Sequence, residues 1–571
     1  MFADYFGCVA VHGVASFGYS FHALLVFVAC LLSYFDPVNL PMYFHPFVFY
    51  THYDYIIVGG GSAGCVLANR LSDNSSNTVL LIEAGTTEDV LSQVPLLAPL
   101  LIKGPYDWNY RPEPQRNACL SMKDQTCPWP RGRALGGSSA INFMLYVRGN
   151  RRDFDNWRDH YGAVGWSYSD VLPHFMAIEE SQVPDDDEHY RGTGGEVPVV
   201  HASKHTRLSD VFLEACKEIG YPMIDYNGRS QAGCSRVQAN ICNGERCSAS
   251  KCFVAPLLPK DNLHIALNSH ATKVLFKGDR AVGVHLSRNY LTYEFRALRE
   301  VIISAGAVGS PQLLMLSGIG PQDHLRELEI PVVADLPVGT NLQDHMHIGG
   351  IAGTLHDPVG INIDSISTVM EYKHNRSGPL SIPASIEALA FVNTPFVEKS
   401  LEFPDVQIAL QSLPPSSPSL ACYMSKMDLR KDVYDKYYLP KWEQPGFSLV
   451  PVMNRPKSTG YIKLRTNDYL DDPIIQPNYL THPEDLQVAV EGAKIALRFI
   501  DSEAMRKAGA KLWDIPFPAC SSERMWSDRY LACLVRHMSQ TTWHACCTCP
   551  MGNDSRAVVD ETLRCERFLF K

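Results

Sequence analysis

Tyr53-Asp54-Tyr55-Ile56-Ile57-Val58-Gly59-Gly60-Gly61-Ser62-Ala63-Gly64-Cys65-Val66-Leu67-Ala68-Asn69-Arg70-Leu71, followed by Val79-Leu80-Leu81-Ile82-Glu83, is the stretch that decides the fold. A β-branched run stops at glycines. A helical pattern follows, with Val66, Leu67 and Leu71 available for one face, and a second apolar run ends on an acid. Strand, tight turn, helix, strand, acid is the βαβ unit that binds a dinucleotide. Gly59 permits the sharp turn, Gly61 lets a pyrophosphate approach the backbone, and Gly64 lets the helix pack closely on the strand. The first helical turn, at Ser62 and Ala63, offers unpaired N–H groups and a partial positive charge to phosphate. Glu83 lies 19 residues after Gly64, where a carboxylate accepts ribose hydroxyls. A bare glycine-rich turn is the competing explanation, and the two flanking strands and the acid weigh against it. NAD and FAD fit the unit equally well.

Working outward, 571 residues and 63.7 kDa suggest two or more domains with large cores. A formal net charge of −10 without a basic block argues against nucleic acid as a partner. There are 17 cysteines, but the only C-x-x-C, Cys546 to Cys549, has no second pair to complete a zinc site. Thiols or disulfides are expected, and no metal. The first 50 residues differ from the rest: no Lys or Arg precedes Arg70, and Ala23 to Leu32 is continuously apolar. A ten-residue apolar run suits a signal-peptide core better than a membrane span of about 20 residues, so a secreted protein is expected. The absent basic flank leaves a membrane anchor counted from Val14 to Phe35, or a mis-assigned start, as alternatives. Sequons at Asn74, Asn375 and Asn553 accord with secretion.

Beyond the βαβ unit, Pro130-Arg131-Gly132-Arg133-Ala134-Leu135-Gly136-Gly137-Ser138-Ser139-Ala140-Ile141-Asn142 places paired glycines and serines at an expected helix start, which suits phosphate or a polar ring edge. Ser167 or Ser169 is expected to cap a helix running to Phe175. Leu263 to Leu267, Thr272 to Phe276 and Arg299 to Ser304 read as strands. The last leads into a helix with Ser310 at its cap and Pro311 at its first position. From about His347 to Tyr530, Pro, Ser and aromatic residues increase and strands such as Val406 to Leu410 and Gly460 to Leu464 alternate. This predicts a second domain on an antiparallel sheet, suited to walling off a pocket.

Three blocks, Gly59 to Gly64 with Glu83, Gly132 to Asn142, and Gly306 to Gly320, together with Asn341-Leu342-Gln343-Asp344-His345 and Arg455 to Gly460, resemble the glucose–methanol–choline (GMC) flavin oxidoreductases, and most closely their arthropod glucose dehydrogenase-like branch. The resemblance implies an α/β fold: a Rossmann-like FAD-binding domain over 51–345, an α+β substrate domain over 346–530, and a return to the first domain over 531–571, after a hydrophobic leader at 1–50. It implies FAD as cofactor, with Gly59, Gly61, Ser62, Ala63, Gly64 and Glu83 at its ADP half and Val274 offering backbone contacts to adenine. Arg133, Gly137, Ser138 and Asn142 would follow the pyrophosphate and isoalloxazine. Ile141 stands where covalently flavinylated relatives carry His, so non-covalent FAD is expected.

The resemblance also implies hydride removal from the carbon of a small alcohol or sugar to the flavin, with electrons passed to a quinone-like acceptor. Use of oxygen, or an inactive secreted homologue, are the alternatives. His544-Ala545-Cys546-Cys547-Thr548-Cys549-Pro550-Met551-Gly552 aligns with the family block that carries the catalytic base, which makes His544 that base. Ala545 stands for Pro and Cys547 for Gly, and a β-carbon at 547 is expected to strain a turn that needs φ > 0. The family pattern continues beyond Asp560 into a strand, a second catalytic His or Asn and a helix, and an incomplete site is therefore expected. Disulfides Cys119–Cys127 and Cys520–Cys533 are implied by the same relatives.

Overall fold

The computed structural model describes residues 49–184, 187–356, 360–361, 366–414 and 416–565. The expected leader falls almost wholly outside them. Among the described residues no helix is long and apolar enough to cross a membrane.

Strand β1 (His52–Val58), helix α1 (Ser62–Ser72) and strand β2 (Val79–Ile82) form the unit read from the sequence. They lie at the centre of a six-stranded sheet with β3 (Leu263–Ala266), β4 (His270–Lys277), β5 (Arg280–Arg288) and β6 (Leu291–Ile303). Its order is β4-β5-β6-β1-β2-β3. The four strands β6, β1, β2 and β3 are parallel: Val58 pairs with Ile303 on one side and Ile82 on the other, and Ile82 pairs with Ala266. β4 and β5 extend the β6 edge as an antiparallel meander. The carboxyl ends of β1, β2 and β6 therefore come together, which is where an open parallel sheet binds its ligand.

The inner face of α1 departs from expectation. Its buried residues are Gly64, Cys65, Ala68, Asn69 and Ser72, whereas Val66, Leu67 and Leu71 are only partly covered. A β-carbon on Gly64 would stand 1.9 Å from the Gly59 carbonyl oxygen. The helix sits too close to the strand for larger side chains, so small residues make its contact face. Helix α2 (Gly306–Leu316) starts earlier than Ser310: Ala305 is its N-cap and Pro311 lies inside. Pro311 has no N–H for the Ala307 carbonyl four residues back, and the Thr548 hydroxyl donates to that carbonyl instead at 2.7 Å.

The second sheet is antiparallel throughout and has eight strands. Lys511–Leu512, Ala352–Thr354, Gly446–Met453, Val406–Gln411, Ile386–Val392 and Gly233–Arg236 lie in that order, with Met346–Ile348 bridging Gly446–Met453 and Ser539–Thr541. Ile408, Ala409 and Leu410 are all buried, so this sheet is covered on both faces. Helix Pro483–Ile500 packs on it with Gly492 against Val406 and Pro451, and Phe499 stacks on Phe212 at 4.7 Å between ring centroids.

Cys119–Cys127 and Cys520–Cys533 are bonded, as the resemblance implies, and a third bridge joins Cys216 to Cys234. That bridge ties helix Arg207–Glu218 to the Gly233–Arg236 strand.

Candidate functional site: a nucleotide cleft beside paired histidines

The glycine blocks, distant in sequence, are stitched together by backbone. The Gly60 carbonyl accepts from the Gly136 amide at 2.7 Å. Ser304 Oγ donates to the Gly59 carbonyl at 2.9 Å. A β-carbon on Gly137 would meet Gly61 Cα at 2.6 Å, and one on Gly59 would meet the Ser304 carbonyl oxygen at 2.5 Å. Gly59 and Gly137 also have φ of +103° and +55°, which favours glycine at both. Between these loops lies a cleft of about 460 Å³, lined by Gly59, Gly61, Ser62 and Ala63, by Glu83, by Gly137 and Ser138, and by Ser304 to Ser310. The first turns of both α1 and α2 open onto it. Their free amides and positive dipole ends suit a pyrophosphate.

A phosphate-bearing group fits these loops for a further reason. A β-carbon on Gly61 would have nothing nearer than 3.8 Å, so its bareness is not required by protein packing. Glu83, 6% exposed, accepts from the Gly60 amide at 2.9 Å and the Gly85 amide at 2.8 Å. Burial pushes its carboxyl up to about 7 against the pull of those two amides.

The remaining expected cofactor residues are placed differently. Gly64 is buried behind the cleft as the packing glycine. Arg133 is exposed, its guanidinium 4.7 Å over the Trp108 ring, and Arg131 lines the cleft in its stead. The turn at Gly132 separates the two arginines: the Arg131 amide donates to Asp107 at 2.9 Å, and the Arg131 guanidinium reaches the Trp543 carbonyl. Asn142 is exposed and outside the lining, its Oδ1 accepting from Arg246 at 2.8 Å and the Met144 amide at 3.0 Å. Val274 is buried within β4, its amide donating to Ser317 Oγ at 2.8 Å. The same strand meets the cleft at His270 and Ala271. Three residues along a strand amount to about 10 Å, so β4 reaches the cleft at Ala271 and not at Val274.

His544 stands one residue past the Trp543 carbonyl that Arg131 holds. Its amide donates to Asp344 Oδ1 at 2.9 Å. The other Asp344 oxygen accepts from the Tyr479 and Thr541 hydroxyls, each at 2.5 Å. The segment is zipped to Gln343–His345 by paired backbone bonds between Gln343 and Cys546, 3.1 and 2.9 Å, and by the Thr542 amide to the His345 carbonyl, 3.0 Å. This brings His345 Nδ1 to 3.1 Å from His544 Nδ1, with the rings nearly perpendicular. Thr542 Oγ1 also lies 3.1 Å from that nitrogen.

The His544 ring is open to solvent on one side but deeply set on the other. Desolvation first, then Arg131 and the neighbouring histidines, holds its pKa below the ordinary imidazole value. His345 is likewise pushed down, to about 4, by burial, against a bond to the Asn454 backbone. Both rings are thus neutral near pH 7. A neutral pair shares one proton across Nδ1–Nδ1. The Asn454 backbone raises the His345 pKa against burial, which favours the arrangement with the shared proton on His544 Nδ1 and the lone pair on its Nε2. Among the described residues no group hydrogen-bonds that Nε2. His345 was not singled out from the sequence, although the Asp344-His345 pair in the quoted Asn341 to His345 stretch was its signal. Cys547 has φ of +71°, the strained turn expected from its place in the block.

GMC oxidoreductase family models match residues 53–347 and 456–567. Glucose dehydrogenase (FAD, quinone) of Drosophila melanogaster is 36% identical over 519 residues, covering 90% of this chain and 80% of that protein. Mitochondrial choline dehydrogenase of Homo sapiens is 34% identical over 531 residues, covering 90% and 83%. The crystal structure of pyridoxine 4-oxidase from Mesorbium loti superposes with a TM-score of 0.73 at 27% identity, covering 90% of this chain and 91% of that one. The chain therefore belongs to the GMC oxidoreductases, FAD-dependent enzymes that act on CH–OH donors.

Proposed function

We propose that this protein oxidises the hydroxyl of a small alcohol or sugar and passes the electrons to a quinone-like acceptor. The observation that carries the proposal is the His544–His345 pair, Nδ1 to Nδ1 at 3.1 Å, set beside the cleft where Arg131, which lines it, reaches the Trp543 carbonyl. Gly59, Gly61, Ser62, Ala63, Glu83, Gly137 and Ser138 would hold the FAD, non-covalently given Ile141, and when bound it supplies the hydride-accepting centre. His544 Nε2 takes the hydroxyl proton. His345 fixes the tautomer, and Asp344 fixes the loop by accepting the His544 amide. The antiparallel sheet, six of whose eight strands fall within residues 346–530, would wall the substrate chamber. The acceptor assignment draws support from the named acceptor of the Drosophila relatives. Three disulfides support a secreted protein, because such bonds persist in oxidising compartments.

Assay of the FAD-loaded protein with glucose, choline and aliphatic alcohols tests this. Turnover is expected with a quinone or a redox dye, and little with oxygen. Oxygen consumption at the dye-linked rate would assign an oxidase instead, and no turnover with any donor would contradict the proposal.

Glu83 gives FAD binding a pH dependence. In the free protein its carboxyl is raised to about 7. Ribose hydroxyls donate to the charged form and lower the pKa in the complex, so binding releases a proton. FAD affinity is therefore full above about pH 7 and falls as the pH drops through that value, by up to about tenfold per unit. Flavin fluorescence titrations at several pH values measure it, and Glu83→Gln should flatten the profile.

A further inference from the structure

The block that presents His544 contains adjacent cysteines whose sulfurs are 2.7 Å apart. That lies between a bonded pair, about 2.05 Å, and the 3.4 Å that separates Cys247 and Cys252. Cys546 is exposed and Cys547 half-buried, so small oxidants reach them. The turn already holds Cys547 at φ of +71°. We propose that Cys546 and Cys547 are a redox-active vicinal pair, a dithiol that a low-molecular-weight disulfide oxidises to an internal disulfide, thereby resetting the loop that presents His544.

The chemistry balances without the flavin. One thiolate attacks the external disulfide, forming a mixed disulfide and releasing one small thiol. The neighbouring thiolate then attacks the protein sulfur and releases the second. The cysteines lose two electrons and two protons in all, and the external disulfide gains them as two thiols. Neighbouring Cα atoms across a trans peptide are about 3.8 Å apart, below the usual disulfide span of about 4.4–6.8 Å. The three bridges among the described residues span 5.8 to 6.5 Å between Cα atoms. A bond between residues 546 and 547 is thus strained and easily reduced, the behaviour of a switch rather than a staple.

Closing that ring pulls on the backbone of Cys546, both of whose bonds go to Gln343. Gln343 leads directly into Asp344 and His345, the groups that fix the loop and the tautomer of His544. Oxidation therefore loosens both halves of the histidine pair. The effect on catalysis rests on the proposed role of His544, whereas the thiol chemistry and the loop response do not.

The full-length FAD-loaded protein, equilibrated in mixtures of oxidised and reduced glutathione and quenched by alkylation, tests the pair by peptide mass. Both thiols should disappear together in one two-electron transition, leaving a peptide lighter by two hydrogen atoms, at poises where the other three bridges stay oxidised. Amide exchange at Gln343 and Cys546 should quicken about tenfold in the oxidised form, as expected for one lost hydrogen bond, and alcohol-driven flavin reduction should slow in the same transition. Cys547→Gly, which relieves the positive φ, should remove the transition and the redox dependence. Two free thiols at every poise, or a stable glutathione adduct on Cys546 alone, overturns the pair. Equal exchange in the two forms overturns the loop response. Flavin that no alcohol reduces in either form would instead count against the proposed activity, with peptide mass and exchange still deciding the switch.

Discussion

His544→Ala should give a folded, yellow protein whose flavin is reduced by alcohols about 10²–10⁴-fold more slowly than in the wild type, the usual contribution of a positioned general base. Flavin should be retained because His544 lies outside the wall of the cofactor cleft, joined to it through the Trp543 carbonyl and Arg131. His345→Ala should fall between the two. It removes the Nδ1 partner at 3.1 Å but leaves Thr542 Oγ1 at the same distance to hold the ring. The rate of the His345 variant should depend on pH differently from wild type, since the tautomer is then no longer imposed. A His544→Ala enzyme that is reduced at the wild-type rate would remove His544 as the base.

The second large effect separates two glycines of one motif. Gly64→Ala places a β-carbon 1.9 Å from the Gly59 carbonyl oxygen, a clash of backbone with backbone that nothing can relieve without moving α1 off the sheet. Its expected outcome is a protein that fails to fold or melts far below wild type, beyond the roughly 1–3 kcal/mol typical of an overpacked site. Gly61→Ala meets nothing nearer than 3.8 Å, so the apoprotein should melt as wild type does. Its methyl group would occupy the space through which the pyrophosphate approaches, and a cost of about 1–3 kcal/mol there weakens FAD binding roughly 5- to 150-fold. Melting curves and flavin titrations of the two variants measure this. A Gly61→Ala protein with wild-type flavin affinity would contradict the cradle.

The features legible in the sequence are those that local chemistry dictates. Gly59, Gly61 and Glu83 could be assigned because a turn, a close approach and a carboxylate after the second strand are local requirements, and the structure puts all three at the cleft. The antiparallel second sheet is legible in Val406 to Leu410, although its burial on both faces is not, and the strand read at Gly460 to Leu464 pairs with Ile474–Gln476 in a separate two-stranded sheet. What failed depends on depth and on distant partners. Alternation along β4 identifies a strand but not which end of it meets the cleft, which the structure puts at His270 and Ala271. Arg131 and Arg133 flank one glycine, and only the Asp107 and Trp543 contacts decide between them. The Cys216–Cys234 bridge could not be inferred, because spacing does not fix connectivity. His345 meets His544 across 199 residues, through a backbone pairing of Gln343 with Cys546 that no local pattern encodes.

The central claim, that a neutral His544 deprotonates an alcohol beside the bound FAD, is tested most directly by anaerobic mixing of the FAD-loaded protein with alcohols and sugars, each with hydrogen or deuterium on the carbinol carbon. The flavin's visible absorbance should be lost with an active donor, more slowly with deuterium on the carbon, and almost not at all in His544→Ala. Absorbance that no donor diminishes, or reduction equally fast in His544→Ala, would contradict it.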